Sequence, residues 1–382
     1  MGARDISVSG LVDHHRLRMI LRRLRLLGRQ GRNTVARIVT SHGLVLAVVL
    51  ASIGPANAQS PIAVTVGAAS VTSDAPIYIA DKKGYFRDEG LAVKVENFRS
   101  ASDMVPHLAT GTLDAGAGSA SAGLYNAVAR GIKIKIVADK ASSPLGYGAT
   151  KILIRKDHID SGRYKTPADF KGMKFAMNAP GVSNTATLNA ILKAAGLRYS
   201  DVETVNMPLP DHVAALGNKA VDASASVEPA PTIAIKNGFA VLVKADDEIL
   251  PNHQIAVLLY SENFVTKRSE AARAFMRAYL RAVRFYNSAL KDGGMIGPNA
   301  DEVIAILSQT TSIKDPAIYK SITPTGMNPD GKVNVDSLAA DLAFYKEQGL
   351  IEADVKIEQI VEHSFVEMAL RQLGPYRKEG LQ

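Results

Sequence analysis

From Ile62 the chain alternates short strand-like apolar runs with helix-length segments that end on glycine, and after Gly148 the alternation begins again. "IAVTVGAAS" (Ile62 to Ser70) reads as a buried strand entering a loop. "APIYIADKKG" then reads as a helix, with Asp74 as its cap, Pro76 in the first turn and Gly84 as the stop. Strands follow at Leu91 to Phe98, Leu113 to Ala117 and Ile132 to Ala138, separated by helices at Ser102 to Thr110 and Ser119 to Arg130. Such a β-α-β series predicts a mostly parallel sheet covered by helices.

The second round carries the clearest helix pattern, Ser183 to Ala195, with Leu188, Ile191, Leu192 and Ala195 on one face and Gly196 after it. It defines a smaller α/β unit over 156–248. The first unit then spans 59–155, and residues 249–382 return to it. "IAVLLYS" (Ile255 to Ser261) is a strand with no evident place in the second unit. Beyond it the chain is mainly helical; over Glu270 to Leu290 the stripe Phe275, Ala278, Tyr279, Ala282 and Tyr286 predicts a buried face. An interrupted first unit means two crossings between lobes, near Gly148–Ile154 and Ala245–Val257, and two crossings make a hinge.

Composition matters chiefly for what it removes. The formal charge of +8 over 382 residues is concentrated at the N-terminus. Residues 1–58 hold nine arginines against Asp5 and Asp13, leaving 36 basic and 35 acidic residues in the rest. No basic face is implied, and nucleic acid is not an expected partner. The arginine-rich stretch precedes "GLVLAVVLASIG" and then "PANAQS", the order of an export signal with cleavage expected after Ala58. The apolar run falls short of the ~20 residues that span a bilayer. The chain has no cysteine, which excludes disulfides, thiolate metal sites and thiol nucleophiles.

One pattern occurs twice. "ATGTLDAGAGSASAG" (Ala109 to Gly123) has a weaker echo in "ALGNKAVDASASVEP" (Ala215 to Pro229). Each has an apolar helix end, a glycine, then "DA" and a run of small residues. Ligands of parallel α/β sheets sit beyond the carboxyl ends of the strands, where helices begin. Here those corners are "SVTSDAP", "GSASAG", "PGVSNT" and "SASVEP". Small residues admit backbone N–H groups to a ligand, and helix N-termini favour anions by about 0.3–1 kcal/mol each. The expected ligand is a small organic anion held mainly by neutral dipoles, with hydroxyls from Ser119, Ser121, Ser183 and Thr185.

Each corner has a plainer reading as well. Ser183 and Asn184 suit simple helix capping, Ser119 and Ser121 close packing, and Asp114 and Asp222 turn fixing. Glu228 is either a surface acid or a residue of the second lobe that binds a ligand donor. Tyr78 and Tyr147 either stack on the ligand or are half-buried packing. His107 and His212 read as surface residues, and Lys140, at a strand end, either counters an anion or is a solvated lysine. No spacing suggests a catalytic trio or a metal site, and no cofactor is expected.

"PIYIADKKGYFRDEGL" (Pro76 to Leu91), followed in order by "LATGTLDAG", "DFKGMKFAMN", "LKAAGL", "AALGNKAVDA" and "YKEQGLI…HSFVEMAL", resembles the exported solute-binding proteins of ABC importers, in the nitrate, sulfonate and taurine group. The resemblance implies an α/β, two-lobed periplasmic binding protein fold of the type with two hinge crossings. It implies a monomer in the periplasm that captures an anionic solute between the lobes and delivers it to an inner-membrane permease with its ATPase. It places the ligand against Ser73 and Asp74, Ser119 and Ala120, and Ser183, Asn184 and Thr185. Nitrate, taurine, alkanesulfonates, carboxylates and a thiamine-precursor pyrimidine all stay open as ligands. A synthase-like enzyme of the same fold and a periplasmic sensor partner are the alternative functions.

Overall fold

The computed structural model describes residues 60–377; the expected export signal and its cleavage point lie outside them. Among the described residues no helix is long and apolar enough to cross a membrane.

Two five-stranded sheets carry the fold. The strands are β1 (Ile62–Ala68), β2 (Leu91–Asn97), β3 (Ala115–Gly118), β4 (Lys135–Ser143), β5 (Thr150–Arg155), β6 (Lys174–Met177), β7 (Glu203–Asn206), β8 (Ala223–Val227), β9 (Ala240–Ala245) and β10 (His253–Tyr260). The first sheet runs β2-β1-β3-β10-β4 and the second β7-β6-β8-β5-β9. These are the same order. In each, three parallel strands are followed by one that pairs antiparallel on both sides, β10 in the first sheet and β5 in the second. The two "DA" copies begin β3 and β8, the central strands.

The unplaced run Ile255 to Ser261 belongs to β10, which is buried along its whole length between β3 and β4. A strand buried on both faces reads as continuous apolar sequence, without alternation. The boundary expected after residue 155 shifts, because β5 pairs with β8 and β9 in the second sheet. The chain therefore crosses at 144–149 and returns at 246–252.

Eight helices position the site: α1 (Ala75–Lys82), α2 (Ala101–Thr110), α3 (Ala122–Ala129), α4 (Ser183–Ala194), α5 (Asp211–Gly217), α6 (Ala230–Lys236), α7 (Ser269–Ser288) and α8 (Val335–Glu347). The stripe expected on α7 is buried in full. Its Phe275 stacks on Phe86 with ring centroids 4.8 Å apart, and Tyr260 donates to the Ala272 carbonyl at 2.9 Å. Side chains of this size add about 1.5–3 kcal/mol each when fully buried. The second lobe has its own core around Phe170, Phe175, Leu188 and Leu192. Each lobe thus has a core of its own, while Ala186 and Tyr199 of the second lobe also pack against the first around Phe344.

Candidate functional site

The corners beyond β1, β3, β6 and β8 meet between the lobes. They enclose an inner chamber of about 60 Å³, walled by Ser73, Ser119, Lys140, Asn178, Ser183 and Asn184 among others. It shares Ala69, Val71, Arg99, Leu209 and Val227 with an outer chamber of about 530 Å³. The outer walls are mostly apolar: Phe98, Leu209, Pro210, Val213, Ile233 and Ile313. The inner end is polar, so the cleft is graded along its length.

Ser119 ties the lobes together. Its hydroxyl donates to the Ile255 carbonyl at 2.8 Å. Its oxygen accepts the Ser183 N–H at 3.3 Å and lies 2.8 Å from Ser183 Oγ, which donates to it. Ser183 opens α4, whose first-turn amides have no partner within the helix. Asn184 donates from Nδ2 to the Ala225 carbonyl at 2.7 Å, which fixes the orientation of the amide and leaves its Oδ1 as an unpartnered acceptor. Gly118 precedes Ser119 because a Cβ there would lie 2.5 Å from Ala101 Cβ.

Lys140 is not solvated, contrary to expectation. It is 1% exposed, and its Nζ lies 2.7 Å from Asp74 Oδ1 and donates to Ser73 Oγ at 2.9 Å. Asp74 Oδ2 in turn accepts the Ala69 and Val71 N–H groups, folding the loop after β1 around the ammonium. A buried lysine without such a carboxylate is very costly. His212 is likewise buried rather than on the surface, and desolvation holds its pKa below the usual histidine value. His107 is exposed as expected.

The structure brings Ser73, Ser119, Ser183 and Asn184 together on the chamber wall. The other expected site residues stand behind or away from it. Asp74 lies one layer back, holding Lys140. Tyr78 packs in the first lobe's core; burial first, and then the Asp74 charge, push its phenol up to about 12. Ala120 is buried with the core residues beside α3. Thr185 donates to the Val182 carbonyl at 2.6 Å and lines a separate surface hollow with Tyr199 and Phe344. Tyr147 borders a different cavity, with Asn287 and Lys291. Glu228 is fully buried, paired with Lys151 at 2.6 Å and accepting from Thr232, which removes the surface-acid reading. Arg99, Asn178 and Leu209 were not singled out from sequence. Arg99 follows β2 and Asn178 follows β6, so the strand-end rule that found Ser119 would have found both.

None of the three chamber hydroxyls, of Ser73, Ser119 and Ser183, is hydrogen-bonded to a histidine or carboxylate among the described residues, where no cluster able to hold a metal occurs either. The arrangement offers amides and hydroxyls to a bound solute, with the Asp74-paired Lys140 ammonium behind them.

A two-lobed α/β protein with a cleft at matching strand ends is the class this geometry defines. Residues 57–295, more than half the chain, match the model of the NMT1-like family, and the chain belongs to that family. The taurine-binding periplasmic protein of Escherichia coli (strain K12) is 27% identical over 298 residues, covering 76% of this chain and 89% of that protein. Among solved structures, the periplasmic nitrate-binding protein NrtA from Synechocystis PCC 6803 aligns with a TM-score of 0.69 at 16% identity, over 82% of this chain and 89% of that one. The periplasmic aliphatic sulphonate binding protein SsuA from Escherichia coli gives 0.62 at 22%, over 85% and 96%. The fold is the two-lobed periplasmic binding protein fold shared with these structures.

Proposed function

We propose that the protein is the periplasmic solute-binding component of an ABC importer. It traps a small organic anion between its lobes without turning it over, and presents the closed form to a permease coupled to an ATPase. The graded cleft carries this reading. An inner end of amides and hydroxyls, backed by the Asp74-paired Lys140 ammonium, suits an anionic head. The adjoining apolar chamber suits a carbon body that nitrate lacks. Relatives named for taurine and sulphonates support the same class. Export, with cleavage after Ala58, belongs to the same proposal.

A thermal-shift screen of sulfonates, aliphatic and aromatic carboxylates, nitrate and pyrimidines tests it. At about 100 times its Kd a ligand adds roughly 2.7 kcal/mol. At least one organic anion is expected to respond. A response to uncharged compounds alone would overturn the anion assignment.

A further inference from the structure

Asp246, His253 and Asp341 form a buried chain across the hinge. Asp246 begins the segment by which the chain leaves the second lobe, His253 is the first residue of β10, and Asp341 lies on α8. Nδ1 of His253 is 3.1 Å from Asp246 Oδ2, and Nε2 is 3.1 Å from Asp341 Oδ2. All three side chains are buried. An imidazole can donate from both nitrogens only when protonated; a neutral ring would turn a lone pair on one carboxylate.

The chain continues to the ligand chamber on both sides. Asp246 accepts the Thr187 hydroxyl, and Thr187 sits on α4, one turn beyond Ser183. Asp246 also accepts the Ser143 hydroxyl, at 2.6 Å, from the end of β4. Two residues past His253, the Ile255 carbonyl holds Ser119. On the far side, the Tyr125 and Tyr345 phenols face Asp341, while neighbouring Asp247 is occupied by the Gly146 N–H at 2.7 Å. Burial alone would lower the pKa of His253, but the Asp341 and Asp246 carboxylates more than reverse it and hold it well above the ordinary value. Burial raises Asp341, with the His253 charge opposing.

We propose that charged His253 is a positioning residue, a clasp that seats α4 of the second lobe on the first and so couples closure of the cleft to one proton. The proposal rests on the capture reading above only in taking closure to be the functional movement. Parting the lobes draws Asp246, which packs with Thr187 on the second lobe, away from His253 and Ser143 of the first and admits water to the imidazole, returning its pKa toward about 6.5. The closed form holds the higher pKa. Its advantage is therefore complete below the open-state value and is lost as pH rises through the closed-state value.

The absence of native cysteine allows a clean distance measurement without any ligand. Cysteines replacing Asn97 and Asp211, exposed on opposite lobes at the cleft, take spin labels. Pulsed electron resonance is expected to give one short separation at about pH 6, with a longer population growing above about pH 8. The His253→Gln variant is expected to show the longer population at both. Nitrogen-15 spectra of the native imidazoles give a second readout: one ring is expected to stay protonated at about pH 8. Native separations that do not change with pH, or no ring charged at that pH, would overturn the clasp even if the variant fails to fold. Either failure leaves the solute screen untouched, and a failed screen leaves these distances unaffected.

Discussion

Asp114 and Asp222 make the same pair of bonds in the two lobes. Asp114 donates its N–H to the Thr65 carbonyl and accepts the Thr65 N–H on its carboxylate, both at 2.9 Å. Asp222 does the same with Lys174, at 2.8 and 3.0 Å. Each locks the start of a central strand to its parallel neighbour, and each has a cationic neighbour, Arg268 or Arg155. The repeated "DA" is thus a strand-register device that sets where the following small-residue corner meets the cleft. Asp114→Ala leaves the Thr65 amide without its acceptor and Arg268 without its carboxylate. A loss of about 1–3 kcal/mol is expected, read as a lower urea midpoint with an unchanged slope.

Acid tolerance separates Asp222 from Asp139. Asp222 is held below the usual carboxylate range; burial opposes this, but the Lys174 N–H and His158 outweigh it. Its contribution is present above the unfolded pKa and is lost as pH falls through the folded value. Asp139 behaves oppositely. Burial pushes it up to about 6 despite bonds from Asn328, Gln254 and Ser142. Its folded form binds a proton more readily than the unfolded chain, so its contribution declines as pH rises from about 4 to about 6. Carbon-13 titration of the side-chain carboxyls is expected to show one midpoint near 6 in the native protein, absent in Asp139→Asn.

How much of this was legible follows from the range of each signal. Strand and helix alternation is local, so both sheets and the α7 stripe could be read directly. The sheet to which β5 belongs could not, because "KILIR" has the same apolar character beside β4 or beside β8. Tyr78 looked like a ligand residue from its place after the first loop; it sits among Ile77, Ile79 and Ala80, all buried on α1, and faces the core with them. Lys140 required knowledge of Asp74, far back in the chain, and His253 meets a partner 88 residues away. Pairings at that distance leave no spacing to detect.

Gly118 tests how tightly the first lobe's corner is built. Its missing Cβ admits Ala101, whose Cα would be 3.1 Å from an added carbon. Because backbone would have to move, Gly118→Ala is expected to cost about 1–3 kcal/mol. It should also shift α2, whose N-terminal Ala101 lines the inner chamber. Thermal unfolding reads the first effect, and solute affinity the second.

The outer chamber predicts a slope. Walls of Phe98, Leu209, Ile233 and Ile313 should reward each added methylene of an anionic solute until the chamber is full. At about 0.8 kcal/mol per buried methylene, affinity is expected to rise roughly fourfold per carbon. Calorimetry on a series of straight-chain sulfonates or carboxylates measures this. Ile233→Asn should flatten the slope while leaving the shortest member's affinity near its native value, since Ile233 lines the outer chamber and not the inner one.

Ser119 and Ser183 answer a different question, whether the polar end recognises solute or only closes the lobes. Their mutual bond joins lobe to lobe, and Ser119 also anchors β10 through Ile255. Each net hydrogen bond contributes about 0.5–1.5 kcal/mol, so replacing both serines by alanine should weaken a responding solute by at least roughly tenfold. The fold should survive, because neither side chain belongs to a lobe core and unfolding cooperativity rests on those cores. If both serines act chiefly through closure, the loss will fall evenly on every solute in the series and leave the methylene slope intact. If they bind the head group directly, sulfonates and carboxylates will lose unequally. Unchanged affinity in the double variant would move the recognition site away from this corner.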